Sequence, residues 1–242
     1  MSTVKPKALD LFCGAGGASM GLNRAGFDVT GVDIKKQPRY PFRFVQSDAT
    51  NPPLDLKAFD FIWASPPCQA HSTMKVMPNA RKHADLIPAT RDVLARFKGP
   101  WVIENVIGAP LEMGAAPLFT EASGVILCGS MFELHNGTHE LRRHRIFEAN
   151  FTMQQPSCRH ILPVIGFYGD HARTRQRTVG GHRDRGGDIV GRDKKLKLVK
   201  ELMGIDWMEW SESNQAIPPA YSEFIGRQAL ETIGRLLPDP TK

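Results

Sequence analysis

The run Asp10 to Leu22, DLFCGAGGASMGL, constrains this chain more than any other. It follows an apolar segment, Lys7 to Phe12, that reads as a strand, and it opens a helical pattern over about Ala18 to Ala25. Glycines at 14, 16 and 17 let the backbone turn sharply and approach a ligand closely. The helix start beside them offers unpaired N–H groups. The generic reading is a nucleotide-containing cofactor at the carboxyl end of the first strand, with a tight structural turn as the bland alternative. No GK[ST] follows the glycines, which speaks against a phosphate loop. GAGG also departs from GxGxxG, though a dinucleotide fold stays a rival.

The pattern continues. Strands are expected over Asp28 to Ile34, Arg43 to Gln46, Phe59 to Ala64 and Trp101 to Val106, with a helix over Leu86 to Phe97. Strands separated by helices or long crossovers imply a parallel sheet, and nearly all-apolar strands imply one covered on both faces. After about residue 107 the periodicity fades. Val125 to Cys128 and Arg145 to Phe151 read as further strands, residues 155 to 195 as loops with a little strand, and Leu196 to Met203 and Ser222 to Leu237 as helices. The chain has 242 residues, enough for one sizeable domain with a small appendage.

No apolar run approaches a membrane span, and the start MSTVKPKALDLF lacks signal-peptide architecture. The expectation is an intracellular, cytoplasmic protein with four reduced thiols, Cys13, Cys68, Cys128 and Cys158. No CxxC pair occurs, and Cys158 with His160 supplies only two ligands, so no metal is expected.

Cys68 stands apart, in Ala64-Ser-Pro-Pro-Cys68-Gln-Ala-His-Ser72. It lies just past the fourth strand, at the edge where open parallel sheets bind ligands. Pro66 and Pro67 stiffen the approach. A held thiol there suggests a nucleophile; a small buried hydrophobe is the alternative for any cysteine. His71 is a possible base, though such a loop histidine is more often a surface residue. Glu104 ends the fifth strand, where desolvation could make it a proton donor. Arg143 and Arg145, at alternate positions, read as two guanidiniums on one face. Asp33 ends the second strand, 33 − 14 = 19 residues past the first turn glycine, a place for an acid that binds ribose hydroxyls.

In order, DLFCGAGG, GVD, SDA, SPPCQ, ENV, RRHRIF and AIPPAYSEFIGRQ resemble the DNA (cytosine-5)-methyltransferases over roughly residues 8 to 148 and 204 to 234. The resemblance implies an α/β fold: a Rossmann-like, S-adenosylmethionine-dependent methyltransferase sheet with a small, loop-rich basic target-recognition region. It divides the chain into a catalytic domain (1–150), that basic region (151–202) and a C-terminal segment returning to the catalytic domain (203–242). It implies S-adenosylmethionine over Phe12, Gly14, Gly16 and Gly17, with Asp33 on the ribose, Ile34 against the adenine, Asp48 near the adenine amino group, and Ala49 and Pro66 alongside. It implies Cys68 as nucleophile on carbon 6 of a flipped cytosine, Glu104 at ring nitrogen 3, and Arg145 with Arg143 at the carbonyl. It implies double-stranded DNA as partner, a monomer, no metal and no membrane. Leu141 stands where the family has a glutamine, and Gln215 where it has an asparagine.

The net charge is +6, and the stretch His171 to Lys200 holds ten Lys or Arg against three acids, 10 − 3 = +7. Such a segment suggests a polyanionic partner, and Arg173, Arg175, Arg177, Arg183 and Arg185 are the expected DNA contacts. A solvated basic loop is the alternative. A region this short predicts short or relaxed sequence specificity. The rival readings are an RNA (tRNA) cytosine-5 methyltransferase, whose CFT tripeptide is absent, a non-catalytic nucleic-acid-binding protein on the same fold, and a thiol-dependent dinucleotide oxidoreductase.

Overall fold

A computed structural model describes residues 4–71, 83–112, 123–168, 171–175 and 187–236. The first five strands are β1 (Lys7–Leu11), β2 (Asp28–Asp33), β3 (Arg43–Gln46), β4 (Phe61–Ala64) and β5 (Trp101–Asn105). Helix α1 (Gly17–Ala25) joins β1 to β2, and α2 (Ile87–Leu94) lies between β4 and β5. Next come β6 (Ser123–Leu127), β7 (Glu140–Leu141), β8 (Arg145–Ala149), β9 (Val164–Tyr168) and β10 (His171–Arg175), then α3 (Arg192–Met203), α4 (Trp210–Ser213) and α5 (Pro219–Leu236).

Seven strands form one sheet in the order β3-β2-β1-β4-β5-β8-β6. The first five are parallel, as their apolar pattern implies. Strand β8 is antiparallel to both β5 and β6, so the sheet is mixed rather than wholly parallel. A second sheet, β10-β9-β7, packs its buried Leu141, Ile165, Phe167 and Ala172 with Val199 and Leu202 of α3 and Trp210 of α4. The described part of the basic stretch holds more regular structure than a loop-rich reading expects: α3 begins at Arg192, ahead of Leu196, and five of the ten basic residues lie on it. Its apolar Val199, Leu202 and Met203 turn inward, which leaves the intervening charges on the outer face.

The period of two along each strand sorts the main core into two clusters. Ala8, Phe61, Trp63, Val102 and Phe147 pack with Leu22 of α1 and Tyr221 and Ile225 of α5. Leu9, Leu11, Ile62, Ala64, Ile103 and Ile146 pack on the other face with Ile87, Val93 and Leu94 of α2. Asp10 belongs by this alternation to the α1 face. It is fully buried there, with Ser19 donating to its Oδ2 and no partner at its Oδ1 among the described residues. Burial foremost pushes its carboxyl up from 3.8 to about 7. A carboxyl raised in the folded state holds its proton where the unfolded chain has already lost it, so stability falls as pH rises from about 4 to about 7. The ceiling on this swing is ~4 kcal/mol at about 1.4 kcal/mol per unit. In Asp10→Asn we expect the wild-type loss of stability between pH 5 and pH 8 to shrink by ~2 kcal/mol, read from urea midpoints at the two pH values. An unchanged slope would assign the swing to other groups.

Candidate active site

The sheet register assembles the site. Val45, Val32, Leu11, Ala64 and Ile103 are successive partners across β3, β2, β1, β4 and β5. The residues one step further along are Gln46, Asp33, Phe12, Ser65 and Glu104. Most of the residues singled out in the sequence therefore lie on or just past one carboxyl edge.

At β1 the chain leaves the sheet through Phe12, whose φ of 60° is unusual for a side chain of that size. Gly14 and Gly16 follow at φ 49° and 90°, and α1 starts at Gly17. Asp33 Oδ2 accepts from the Gly14 N–H at 3.0 Å, and its Oδ1 from the Lys35 N–H at 2.8 Å. Trp207 donates from Nε1 to the Ala15 carbonyl at 2.8 Å, so the C-terminal segment holds the glycine loop from behind. Nothing in a local motif marks Trp207 for this role. Ile34 is 65% exposed beside Asp33, an unusual setting for a large aliphatic side chain. Asp48 is exposed and holds Thr50 through its Oδ1. Ala49 is buried in the α2-side core, and Pro66 is also buried, its carbonyl accepting from Asn105 Nδ2 at 3.0 Å. An exposed aliphatic surface, two carboxylates and a loop with open space over Gly14 fit an adenosine-containing molecule.

At β4 the chain leaves through Ser65, whose N–H bonds the Leu11 carbonyl at 3.1 Å and whose Oγ accepts from Trp63 Nε1 at 2.9 Å. Cys68 then opens a 3₁₀ turn, Cys68–Ala70, capped by Pro67. The Asn105 bond to Pro66 ties this turn to the end of β5, a link absent from the sequence-derived site. Burial, then the Glu104 charge, push the Cys68 thiol up, while Arg145 and Arg143 pull it down. His71, the possible base, has its Nε2 2.9 Å from Asp85 Oδ1.

Glu104 and Arg145 share a face of the sheet as diagonal neighbours across β5 and β8. Arg145 Nε lies 3.0 Å from Glu104 Oε1, both side chains nearly covered. Burial raises the Glu104 carboxyl; Arg145, Arg143 and a hydrogen bond with Ser65 pull it back. The two arginines differ in use. Arg143 is 1% exposed and donates to the Phe167 carbonyl at 3.1 Å and the Asn214 carbonyl at 2.7 Å. It ties the small sheet to the turn before α5, and burial lowers its guanidinium to about 9. Alternate positions on an extended chain thus did not give two guanidiniums with one task, because β8 begins only at Arg145.

Of the expected DNA contacts, Arg173 lies on β10 with a half-exposed side chain near Asp188. Arg177, Arg183 and Arg185 lie outside the described residues, as does the side chain of Arg175. Among the described residues no helix is long and apolar enough to cross a membrane.

Sheet order, the antiparallel β8 and the site at the carboxyl edge define the S-adenosylmethionine-dependent methyltransferase fold. Residues 7–109 match the family model of the C-5 cytosine-specific DNA methylases, the stretch that carries the glycine, SPPCQ and ENV motifs. Three solved structures share the fold across nearly their whole length. An E. coli prophage protein described as a DNA modification methyltransferase is 14% identical, with a TM-score of 0.53, 95% of this chain covered and 99% of that one. The Dnmt2 methyltransferase of S. pombe is 13% identical, with a TM-score of 0.57 and the same coverage. The methyltransferase EhMeth of Entamoeba histolytica is 13% identical, with a TM-score of 0.50, 98% of this chain covered and 100% of that one. No curated protein matches the chain.

Proposed function

We propose that the chain methylates carbon 5 of cytosine in double-stranded DNA. The convergence of Cys68, Glu104 and Arg145 at one sheet edge, beside the adenosine-fitting loop, carries this reading. Phe12, Gly14, Gly16, Gly17, Asp33, Ile34 and Asp48 would hold S-adenosylmethionine, which supplies an electrophilic methyl group when bound. The target cytosine leaves the stack to reach the edge. The Cys68 thiol releases its proton to solvent water as its sulfur bonds to carbon 6, placing electron density on carbon 5. Glu104 holds a proton at ring nitrogen 3, so charge does not build up there, and its raised pKa suits that task. Arg145 orients Glu104 and faces the ring carbonyl. After carbon 5 has gained the methyl group, its proton passes to water, the ring double bond re-forms and the Cys68 sulfur leaves as a thiolate. Arg143 acts from behind by fixing the segment that carries Arg145. The basic region, 151–202, supports DNA as the polymer through phosphate contacts.

Incubation with labelled S-adenosylmethionine and either duplex DNA or structured RNA, followed by nucleoside analysis, tests this. The expected product is 5-methylcytosine in DNA, at a site shorter than about six base pairs because a region as short as 151–202 can reach few bases. Label in RNA alone would replace DNA with RNA as substrate. A longer strict site would refute the relaxed specificity.

A further inference from the structure

We propose a metal site away from the catalytic edge: Cys128, His144, Cys158 and His160 bind one Zn²⁺ ion. One donor atom from each lies within 4.8 Å of the other three. Cys128 Sγ and His160 Nε2 are 3.5 Å apart, Cys158 Sγ and His160 Nε2 3.4 Å, and Cys158 Sγ and His144 Nε2 3.6 Å. A tetrahedral zinc with Zn–S of about 2.3 Å and Zn–N of about 2.05 Å spaces sulfur and nitrogen about 3.5 Å apart. The three separations therefore match the edges of one coordination tetrahedron. Thiol–imidazole hydrogen bonds account for the cluster less well. A thiol carries a single hydrogen, whereas Cys158 Sγ has both imidazoles and Ser130 Oγ around it.

A second observation points the same way. Glu140, 4% exposed, places Oε1 2.6 Å from His160 Nδ1. Its Oε2 accepts from the Ile161 N–H at 3.3 Å. A buried carboxylate on Nδ1 fixes the tautomer and leaves the Nε2 lone pair aimed at the sulfurs, the usual outer partner of a metal-bound histidine. Two thiolates with two imidazoles suit zinc over calcium or magnesium. Four protein ligands leave no open position, so the ion is structural.

The ligands come from three separate places in the chain. Cys128 follows β6, His144 sits between Arg143 and Arg145, and Cys158 and His160 lie in the irregular stretch between β8 and β9. One ion would pin that stretch and fix the backbone at both ends of the arginine segment. It would thus hold Arg145 toward Glu104.

The test is the metal content of the full chain, purified by gel filtration after expression with zinc, together with Cys128→Ser, Cys158→Ser and His160→Ala. The expected result is about one zinc per chain, lost in each of the three and kept in Cys68→Ala. If the variants do not fold, cobalt in the wild-type chain decides. Intense tetrahedral bands with thiolate charge transfer support the site, and weak octahedral bands overturn it. A zinc-free chain with four reactive thiols that takes no zinc from a chromogenic chelator overturns it as well. So does a Cys128–Cys158 disulfide in protein kept with zinc.

Discussion

Cys68→Ala should abolish methyl transfer, by ~10⁴-fold or more in single turnover, while S-adenosylmethionine binding stays within about twofold. The asymmetry follows from placement. The side chain lies past β4, whereas the loop expected to hold the cofactor is built by β1, β2 and the Trp207 bond to Ala15. Removing one sulfur from an already stiff turn leaves the Asn105 bond to the Pro66 carbonyl in place. A chemical trap makes the test sharper. The adduct resolves only when a proton leaves carbon 5. A fluorine there cannot leave as a cation, so with S-adenosylmethionine present 5-fluorocytosine in the duplex should, once methylated, hold the wild-type protein to DNA through denaturation. Cys68→Ala should give no such adduct. Turnover by the alanine variant would move the nucleophile elsewhere. An intact trap with Glu104→Gln but slow adduct formation would separate proton placement at nitrogen 3 from attack at carbon 6.

Much of this site could be read from the chain because its parts sit at strand ends, and strand ends are local signals. The apolar runs at Lys7, Asp28, Phe61 and Trp101 are each followed by residues of unusual chemistry. A parallel sheet must then gather those residues at one edge. What stayed hidden depends on contacts that no period encodes. Arg143 and Arg145 look equivalent on an extended chain. The strand begins only at the second, and the first reaches the Phe167 and Asn214 carbonyls from far along the sequence. Cys128, His144, Cys158 and His160 carry no CxxC spacing, so only the fold reveals that their donors converge. Trp207 and Asn105 act through backbone carbonyls, which have no residue identity to read. The start of α3 is masked in the sequence because charged residues crowd its first turn and its buried face begins only at Val199.

The glycine motif also hides a packing device, and its test should give the largest stability change. Gly17 and Gly21 lie one turn apart on α1, facing the segment that enters α5. A Cβ on Gly21 would come 2.0 Å from the Pro219 carbonyl oxygen, 2.1 Å from Ser222 Oγ and 2.7 Å from the Glu223 nitrogen. One on Gly17 would meet the Ile217 carbonyl at 2.6 Å. These neighbours are mostly backbone, so no side-chain rotation relieves the overlap. Intrinsic propensity argues the opposite: alanine in mid-helix gains ~1 kcal/mol over glycine. Packing should win. Separating α1 from α5 would open the contact through which Leu22 meets Tyr221 and Ile225, and it would loosen the support behind the glycine loop. For Gly21→Val we expect a loss of ~5 kcal/mol or more, most of an ordinary domain's margin. Gly21→Ala should show a smaller loss of ~2 kcal/mol, about 4–8 °C in Tm for a chain of this size. Thermal and urea unfolding would measure both. If Gly21→Ala were instead more stable than wild type, propensity would outweigh packing, and α5 would have to dock on α1 further away than the structure places it.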